Sequence, residues 1–391
     1  MAQKKRPFLK NFIIYAVLAI NIFFAFAFLL SLLANFISPT LSVFVAYCGM
    51  AFYYLLFINI GFSVFWIFVN YRFSLISVCV LLLNVNNIDK HYQLKSSEVP
   101  PVCENCVKVM TYNCKLFGVY NSDDPKEREK EKNKILDFLL KEQPDIVCFQ
   151  EYFLDKSGKL KFNTTDTILS ILNLDNRPYS DKKEFYYQHF TTNLKKEYYY
   201  GLAIFSKFKI VNADFIQMPD SSTNGAIFVD IKYKGDTIRV YTAHLESIHM
   251  EKVDYETGKQ FINNDLNDPK LNVNAKKIGS KLKKAFRERA MQARTLRANI
   301  DSCRFPVIIC GDFNDTPASY SYNKISRGFK DTYRESGEGR GDTYFGSSFP
   351  SYRIDYILHD KKFNAYGHTI CKDVLTSDHY PVFSYISLKK R

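Results

Sequence analysis

The chain has 391 residues with 53 Lys and Arg against 40 Asp and Glu, a formal net charge of +13, and nine cysteines. Charged residues at 24% and apolar ones at 47% exclude a disordered or collagenous chain and a disulfide miniprotein, and leave room for one large domain or two ordinary ones. These averages hide a split that excludes a purely soluble protein. The first 88 residues carry Lys4, Lys5, Arg6, Lys10 and Arg72 and no acid, whereas the remainder carries 48 basic against 40 acidic residues, a net +8.

From Asn11 to Tyr71 there is no charged residue. A hydrocarbon core of about 30 Å needs roughly 20 apolar helical residues. Phe12 to Phe36 supplies one such run, broken at Ser38-Pro39, and residues 41–69 supply a second. A shorter third candidate starts at Phe73 and covers residues 73–88. Residues 1–90 therefore read as a membrane anchor with two or three transmembrane helices. The first run is too long for a cleaved signal peptide, lacks a small-residue cleavage pattern and is followed at once by a second span. The leading Lys4-Lys5-Arg6 and Lys10 favour a cytoplasmic N-terminus, the uncharged Asn35–Thr40 loop crosses easily, and Arg72 returns inside. Two spans leave the rest of the chain in the cytoplasm; three put it outside. The tight Asn70-Tyr71-Arg72 turn reads as a helical hairpin, which favours three spans and an external domain.

Residues 91–106 read as a linker, most clearly over Glu98–Pro101. Cys103-x-x-Cys106 suits either a disulfide in an oxidising space or half of a zinc site, with no second Cys or His pair nearby. Residues 107–391 then form one long α/β stretch. Val107–Cys114 alternates and is rich in strand formers, and Pro125–Leu140 carries a helical stripe of Ile135, Leu136, Leu139 and Leu140. Asp145–Glu151 reads as a buried strand with a polar tip. Further strands are expected at Phe185–Phe190, Gly201–Ser206, Ala226–Tyr233, Thr237–His244, Pro306–Gly311, Ile354–Leu358 and Val382–Leu388, with Lys234-Gly235-Asp236 as a hairpin turn. Strands in runs with few helices between them point to a sandwich of sheets rather than a doubly wound parallel sheet. Cys114, Cys148 and Cys310 fall in apolar strand-like runs and read as core.

Residues 247–299 read as an insertion. Its first half is polar; from Ala275 it is a basic helix bearing Lys276, Lys277, Lys281, Lys283, Lys284, Arg287, Arg289, Arg294 and Arg297 against only Glu288. Such a face suits solvent, a nucleic acid or anionic lipid head groups.

Several apolar strands deliver a polar residue at their ends: Asn113 in TYNC, Glu151 in FQE, His244 in TAHLE, Asp312 and Asn314 in GDFND, and Asp378-His379 in SDHYP, with Asp355 in RIDYIL. A strand tip is a rigid mount beside a loop. Any one of these is most simply a cap or turn residue; the set is chemically coherent. Carboxylates and amide oxygens suit Mg²⁺ or Mn²⁺, which keep waters for substrate phosphate. A cation beside two histidines suits attack of water on phosphorus, with a His–Asp pair managing the proton and fixed donors stabilising charge on oxygen.

The series TYNC, FQE, GLAIFSK, TAHLE, GDFND, RIDYIL and SDHYP, in that order, resembles the endonuclease/exonuclease/phosphatase superfamily, over about Val107–Leu388. The resemblance implies a DNase I-like four-layer α/β/β/α sandwich. It implies that Asn113 and Glu151 hold the metal, with Asp378 a further carboxylate beside it. His379 would activate water or contact the phosphate, oriented by Asp355; Asp312 would position the nucleophile or a second metal. Asn314 would donate to the phosphate and His244 would stabilise the phosphoryl group or assist the leaving group. Tyr199 falls where relatives place a phosphate-contacting residue, although Tyr198 and Tyr200 flank it.

The stretch Pro350–Asp355 lacks the Trp-Cys-Asp-Arg type signature of inositol polyphosphate 5-phosphatases. A short tether to a bilayer confines an enzyme near lipid substrates and does little for a nuclease. The layout is also similar to membrane-anchored bacterial members of a teicoplanin-resistance type, linked to lipid-carrier pyrophosphate hydrolysis. The expectation is a Mg²⁺- or Mn²⁺-dependent phosphoesterase in a bacterial inner membrane, acting on a lipid-linked phosphate ester, with the lipid bilayer as its partner. A membrane-tethered nuclease is the second reading, and a membrane scaffold with a decayed site the third.

Overall fold

The computed structural model describes residues 6–94, 106–160, 162–174, 182–194, 197–219, 224–251, 253–254, 256–257, 260, 271–346 and 351–389. The apolar end forms helices α1 (Arg6–Leu33), α2 (Val43–Met50), α3 (Phe52–Val69), α4 (Tyr71–Leu83) and α5 (Val85–His91). Leu9–Leu33 and Phe52–Val69 are each long and apolar enough to cross a membrane, and α4 with α5 passes the same test as a pair bent by 59°. Two expectations are corrected here. The run 41–69 is two helices, because α2 turns aside to pack on the domain beyond: a Cβ on Gly49 would fall 2.3 Å from the Ala318 carbonyl oxygen. The run 73–88 bends at Asn84, whose side-chain amide donates to the Phe28 and Val80 carbonyls. Asn70 caps α4 by accepting from the Arg72 amide.

This bundle has its polarity reversed. Phe12, Phe23, Phe57 and Phe68 are exposed, while Asn21 is fully buried between the Trp66 indole (2.9 Å) and the Ser77 hydroxyl (2.7 Å). Apolar surface outward with polar side chains bonding between helices is the arrangement a lipid solvent favours.

The remainder is built on two six-stranded sheets. The numbered strands are β1 (Tyr92–Gln93), β2 (Cys106–Asn113), β3 (Ile146–Asp155), β4 (Tyr186–Leu194), β5 (Tyr198–Ser206), β6 (Ile210–Gln217), β7 (Gly225–Tyr233), β8 (Asp236–His244), β9 (Val307–Asp312), β10 (Lys330–Asp331), β11 (Gly339–Arg340), β12 (Asp355–His359), β13 (Phe363–Ile370) and β14 (Val382–Leu388). One sheet runs β10-β12-β9-β8-β7-β6, the other β13-β14-β2-β3-β5-β4. Their inner faces meet through Val109, Ile146, Cys148 and Ile204 against Ile227, Val240, Ile308 and Ile357. Helices α6 (Pro125–Glu142) and α7 (Thr164–Ile171) cover one outer face; α8 (Leu271–Asp301) and α9 (Tyr320–Ser326) cover the other. This is the expected four-layer sandwich. A short helix α10 (Thr332–Ser336) follows β10. Strands β6 and β13 were not expected from the sequence; each closes an edge of its sheet. Cys114, Cys148 and Cys310 are buried free thiols, as read.

The expected linker 91–106 is in part a docked strand: Tyr92 and Gln93 pair antiparallel with Arg340 and Gly339. Glu98–Pro101 and Cys103 lie outside the described residues, and Cys106 is disulfide-bonded. The two parts of the chain are further joined by Arg353, 1% exposed, which binds both Asp331 carboxylate oxygens at 2.5 Å and donates to the Lys90 carbonyl at 2.8 Å. Tyr333 donates to the His91 carbonyl, Arg334 pairs with Asp89, and Tyr47 donates to the Gly279 carbonyl at 2.7 Å. All these contacts gather at the end of the bundle where α1 finishes and α3 begins, opposite to the N-terminus.

Candidate active site

Register brings the strand tips abreast. In the parallel pair β8–β9, His244 stands opposite Asp312; in the antiparallel pair β9–β12, Asp312 stands opposite Asp355. Gly311 permits this closeness: at φ +141, a Cβ there would fall 2.1 Å from the Ala243 carbonyl oxygen. In the other sheet Asn113 stands opposite Gln150, one residue before Glu151. Glu151 has φ +51 at a break in the β3–β5 register, so a bulge re-aims its carboxylate away from the alternation of the strand. Lys115 (φ +44) and Asn314 (φ +51) share this left-handed backbone. Such conformations cost of order 1 kcal/mol or more each and persist where the surroundings over-determine them.

The tips of the two sheets converge on Asp312, which is fully buried. Its Oδ2 accepts from Asn113 Nδ2 at 3.0 Å and lies 3.6 Å from both His244 Nε2 and His379 Nε2. Its Oδ1 accepts from the Asn314 amide at 2.8 Å, and Asn314 Nδ2 reaches the Leu245 carbonyl at 3.0 Å. Asn113 Nδ2 also reaches Glu151 Oε1 at 3.2 Å, and His244 Nε2 lies 4.0 Å from the same oxygen. Asp355 Oδ2 sits 2.9 Å from His379 Nδ1, while two backbone amides, of Ile354 and Asp355, donate to Thr343 Oγ1 and hold the β12 start. Ser377 Oγ donates to the Asn113 carbonyl and accepts from the His379 amide, tying the SDHYP loop to β2.

Burial pulls the His379 imidazole down, but the adjacent Asp355 and Asp312 carboxylates outweigh it and hold the pKa at about 10. His379 thus carries a proton at neutral pH, suited to donating to a phosphoryl or leaving-group oxygen. Burial pushes the Asp312 carboxyl above its ordinary range against the pull of His379, His244 and Asn113.

The donors fit a hard divalent cation at Glu151. Its carboxylate is partly exposed to the cavity and, among the described residues, accepts a hydrogen bond from Asn113 Nδ2 alone, so lone pairs remain for an ion; Asn113 turns its Nδ2 to Glu151 and Asp312 and its Oδ1 to the Lys115 amide at 3.1 Å, so its oxygen would join the ion only with the amide turned over. Asp312, Asp355 and His379 also bring one ligand atom each within 4.8 Å of one another. There Asp355 Oδ2 and His379 Nδ1 engage each other as a proton-handling pair, while Asp355 Oδ1 is buried without a hydrogen-bond partner among the described residues. Asp378 lines the same cavity, but its Oδ2 pairs with Lys115 Nζ at 3.1 Å instead of turning onto Glu151.

Tyr199 is not brought to this cavity. Its ring packs beneath Lys156 Nζ at 4.4 Å and beside Phe190, and it is Tyr200 that lines a smaller cavity with Glu151, His244 and Asn224. Sequence reading missed Asn224, whose amide donates to Glu246 at 2.6 Å while Glu246 faces His249 at 2.9 Å. Only the Asn-Gly pair before β7 marked that position, and it reads equally well as a turn. The basic helix is also less basic than it looks: Arg289 is buried against Asp315 and Lys281 pairs with Asp254. Lys276, Lys277, Lys283, Lys284 and Arg287 remain as its exposed cationic face.

The endonuclease/exonuclease/phosphatase family model matches residues 110–379, which span every strand tip described above. The chain belongs to the endonuclease/exonuclease/phosphatase family. Members of this family hydrolyse phosphate esters and generally depend on divalent metals. A second model, of a domain of unknown function (DUF8431), matches residues 11–91. Among solved structures, an endonuclease/exonuclease/phosphatase from Beutenbergia cavernae is 18% identical with a TM-score of 0.49, covering 73% of this chain and 72% of its own. One from Bacteroides vulgatus is 17% identical with a TM-score of 0.49, covering 73% and 100%. The human Nocturnin catalytic domain with bound sulfate is 19% identical with a TM-score of 0.48, covering 73% and 95%. No curated protein matches the chain.

Proposed function

We propose that this family member is a membrane-anchored, divalent-metal-dependent phosphoesterase whose substrate is a lipid-linked phosphate ester. The observation that carries the reading is the lining of the active-site cavity. It measures about 510 Å³ and is lined both by the catalytic residues and by an apolar set, Ile278, Leu282 and Phe286 of α8, Ile354 and Tyr352, and Met50 of α2. Met50 brings the N-terminal bundle into the wall of the phosphoryl site, which supports a substrate with an apolar part. Tyr47 fastens that wall, its ring meeting Phe286 edge-on at 5.4 Å. Catalytic polar groups and apolar side chains lining one cleft suit an amphiphile with a phosphate head.

The same reading assigns three spans and an external catalytic domain. The domain meets the bundle at the end opposite the basic N-terminus, and the disulfide-bonded Cys106 suits an oxidising compartment. Asn113 and Glu151 would hold the cation, Mg²⁺ or Mn²⁺, which neutralises charge on the phosphoryl oxygens. Asp355 orients the His379 proton toward the phosphate, while His244 and Asn314 flank the group being transferred.

The test is full-length protein with Mg²⁺ offered farnesyl diphosphate, sphingomyelin and plasmid DNA. Turnover of a lipid phosphate, abolished by EDTA and lowered by at least about 100-fold in Glu151→Gln, is expected. Cleavage of DNA with the lipids untouched would refute the lipid assignment.

A further inference from the structure

A second cavity lies at the junction of the anchor and the catalytic domain. It measures about 660 Å³ and is lined by Tyr54 and Phe57 of α3, Val85 and Ile88 of α5, Tyr92 of β1, and Tyr352. Its lining is mainly apolar, and of its charged residues Asp89 is paired with Arg334 and Arg340 with Asp342. Tyr352 lines both this cavity and the catalytic cavity, so the two meet at that residue. Tyr352 pairs through its backbone with Tyr344, which pairs in turn with His379. This shared residue is therefore tied through Tyr344 to the segment that carries the catalytic histidine. On the bundle side, Phe57 is 67% and Val85 54% exposed, so the cavity opens where α3 and α5 present apolar surface outward.

We propose that this seam between α3 and α5 is a lateral portal: the hydrocarbon chain of the substrate threads from the bilayer past Tyr352 while its phosphate occupies the catalytic end. The proposal rests on the lipid-linked reading above and deepens it. Its occupant is a single flexible chain, because the cavity meets the catalytic cavity at Tyr352 and is lined mainly by apolar and aromatic side chains, with the charges of Asp89 and Arg340 already paired. A chain held there shields apolar carbons that a short ester does not have, so the portal acts on affinity for long substrates and leaves the chemical step alone.

Two measurements test this, both on the full chain in lipid nanodiscs. In Ile88→Trp, which narrows the cavity far from the catalytic residues, KM for farnesyl diphosphate rises about tenfold with kcat unchanged. Turnover of isopentenyl diphosphate stays within about twofold of the unaltered protein. In the unaltered protein, a farnesyl diphosphate analogue with a photoreactive diazirine at its chain end labels α3 and α5, a readout that needs neither turnover nor a variant. Labelling confined to α2 and α8, or an unchanged KM in folded Ile88→Trp, overturns the portal while leaving a lipid substrate in place. Equal kcat/KM for isopentenyl and farnesyl diphosphate in the unaltered protein overturns the lipid reading itself, and the portal with it.

Discussion

Replacing Asp355 by Asn isolates one charge in the proton-handling pair. An Asn oxygen can still accept from His379 Nδ1 across the 2.9 Å now spanned by Asp355 Oδ2, so the ring keeps its orientation and loses only the carboxylate charge. A hydrogen bond to a charged group is worth about 1.5–3 kcal/mol. At 1.36 kcal/mol per factor of ten, kcat falls about 10- to 150-fold if that bond is strongest in the transition state. Apart from burial, Asp355 has the largest influence on His379 and it acts upward, so the His379 pKa should drop from about 10 in the variant. The assay is the initial rate on bis(p-nitrophenyl) phosphate at saturating Mg²⁺, alongside an NMR titration of the His379 ring and a thermal melt to confirm folding. A kcat within about twofold of the unaltered enzyme, together with an unmoved titration, would refute the pairing as a catalytic device.

Two other outcomes follow from groups outside the site. Arg353→Met leaves Asp331 buried without its ion partner, which costs about 3–5 kcal/mol, whereas Arg353→Met with Asp331→Leu recovers most of it; unfolding midpoints in detergent measure both, and a single-variant cost under about 1 kcal/mol contradicts the account. His368 is buried against Thr332, and burial with the nearby Arg353 charge holds its pKa down at about 3, whereas an unfolded histidine titrates near 6.5. The unfolded chain therefore binds the extra proton in that window. Stability is lost as pH falls from about 6.5 to about 3, by about 1.4 kcal/mol per unit, and His368→Asn flattens the slope. Parallel slopes in the two proteins would show that His368 is not the group responsible.

The strand tips were legible because their signal is local. An apolar strand ending in Asn, Glu, His or Asp announces both the element and the direction in which its last residue is held. What joins those tips is not local: Asn113 reaches Asp312 across 199 positions, and only the motif order anticipated that. Tyr199 failed for a specific reason. Three consecutive tyrosines carry no period-2 contrast, so nothing in the sequence says which of them faces the cavity. The edge strands β6 and β13 escaped notice because an edge exposes polar side chains that blur its alternation. Met50 and Tyr352 were invisible altogether, since neither the break at Ala51 nor the return of Tyr352 beside Tyr344 leaves a compositional trace.

The short β1–β11 ribbon changes what the anchor does mechanically. On the membrane-anchored reading proposed above, a catalytic domain stitched down within three residues of the last helix would have no swinging radius, so its mouth would stay at one height and one tilt above the bilayer. Encounters would then be set by how fast the whole protein drifts in the plane of that membrane. Phosphates carried on tall or heavily decorated head groups would pass overhead, out of reach.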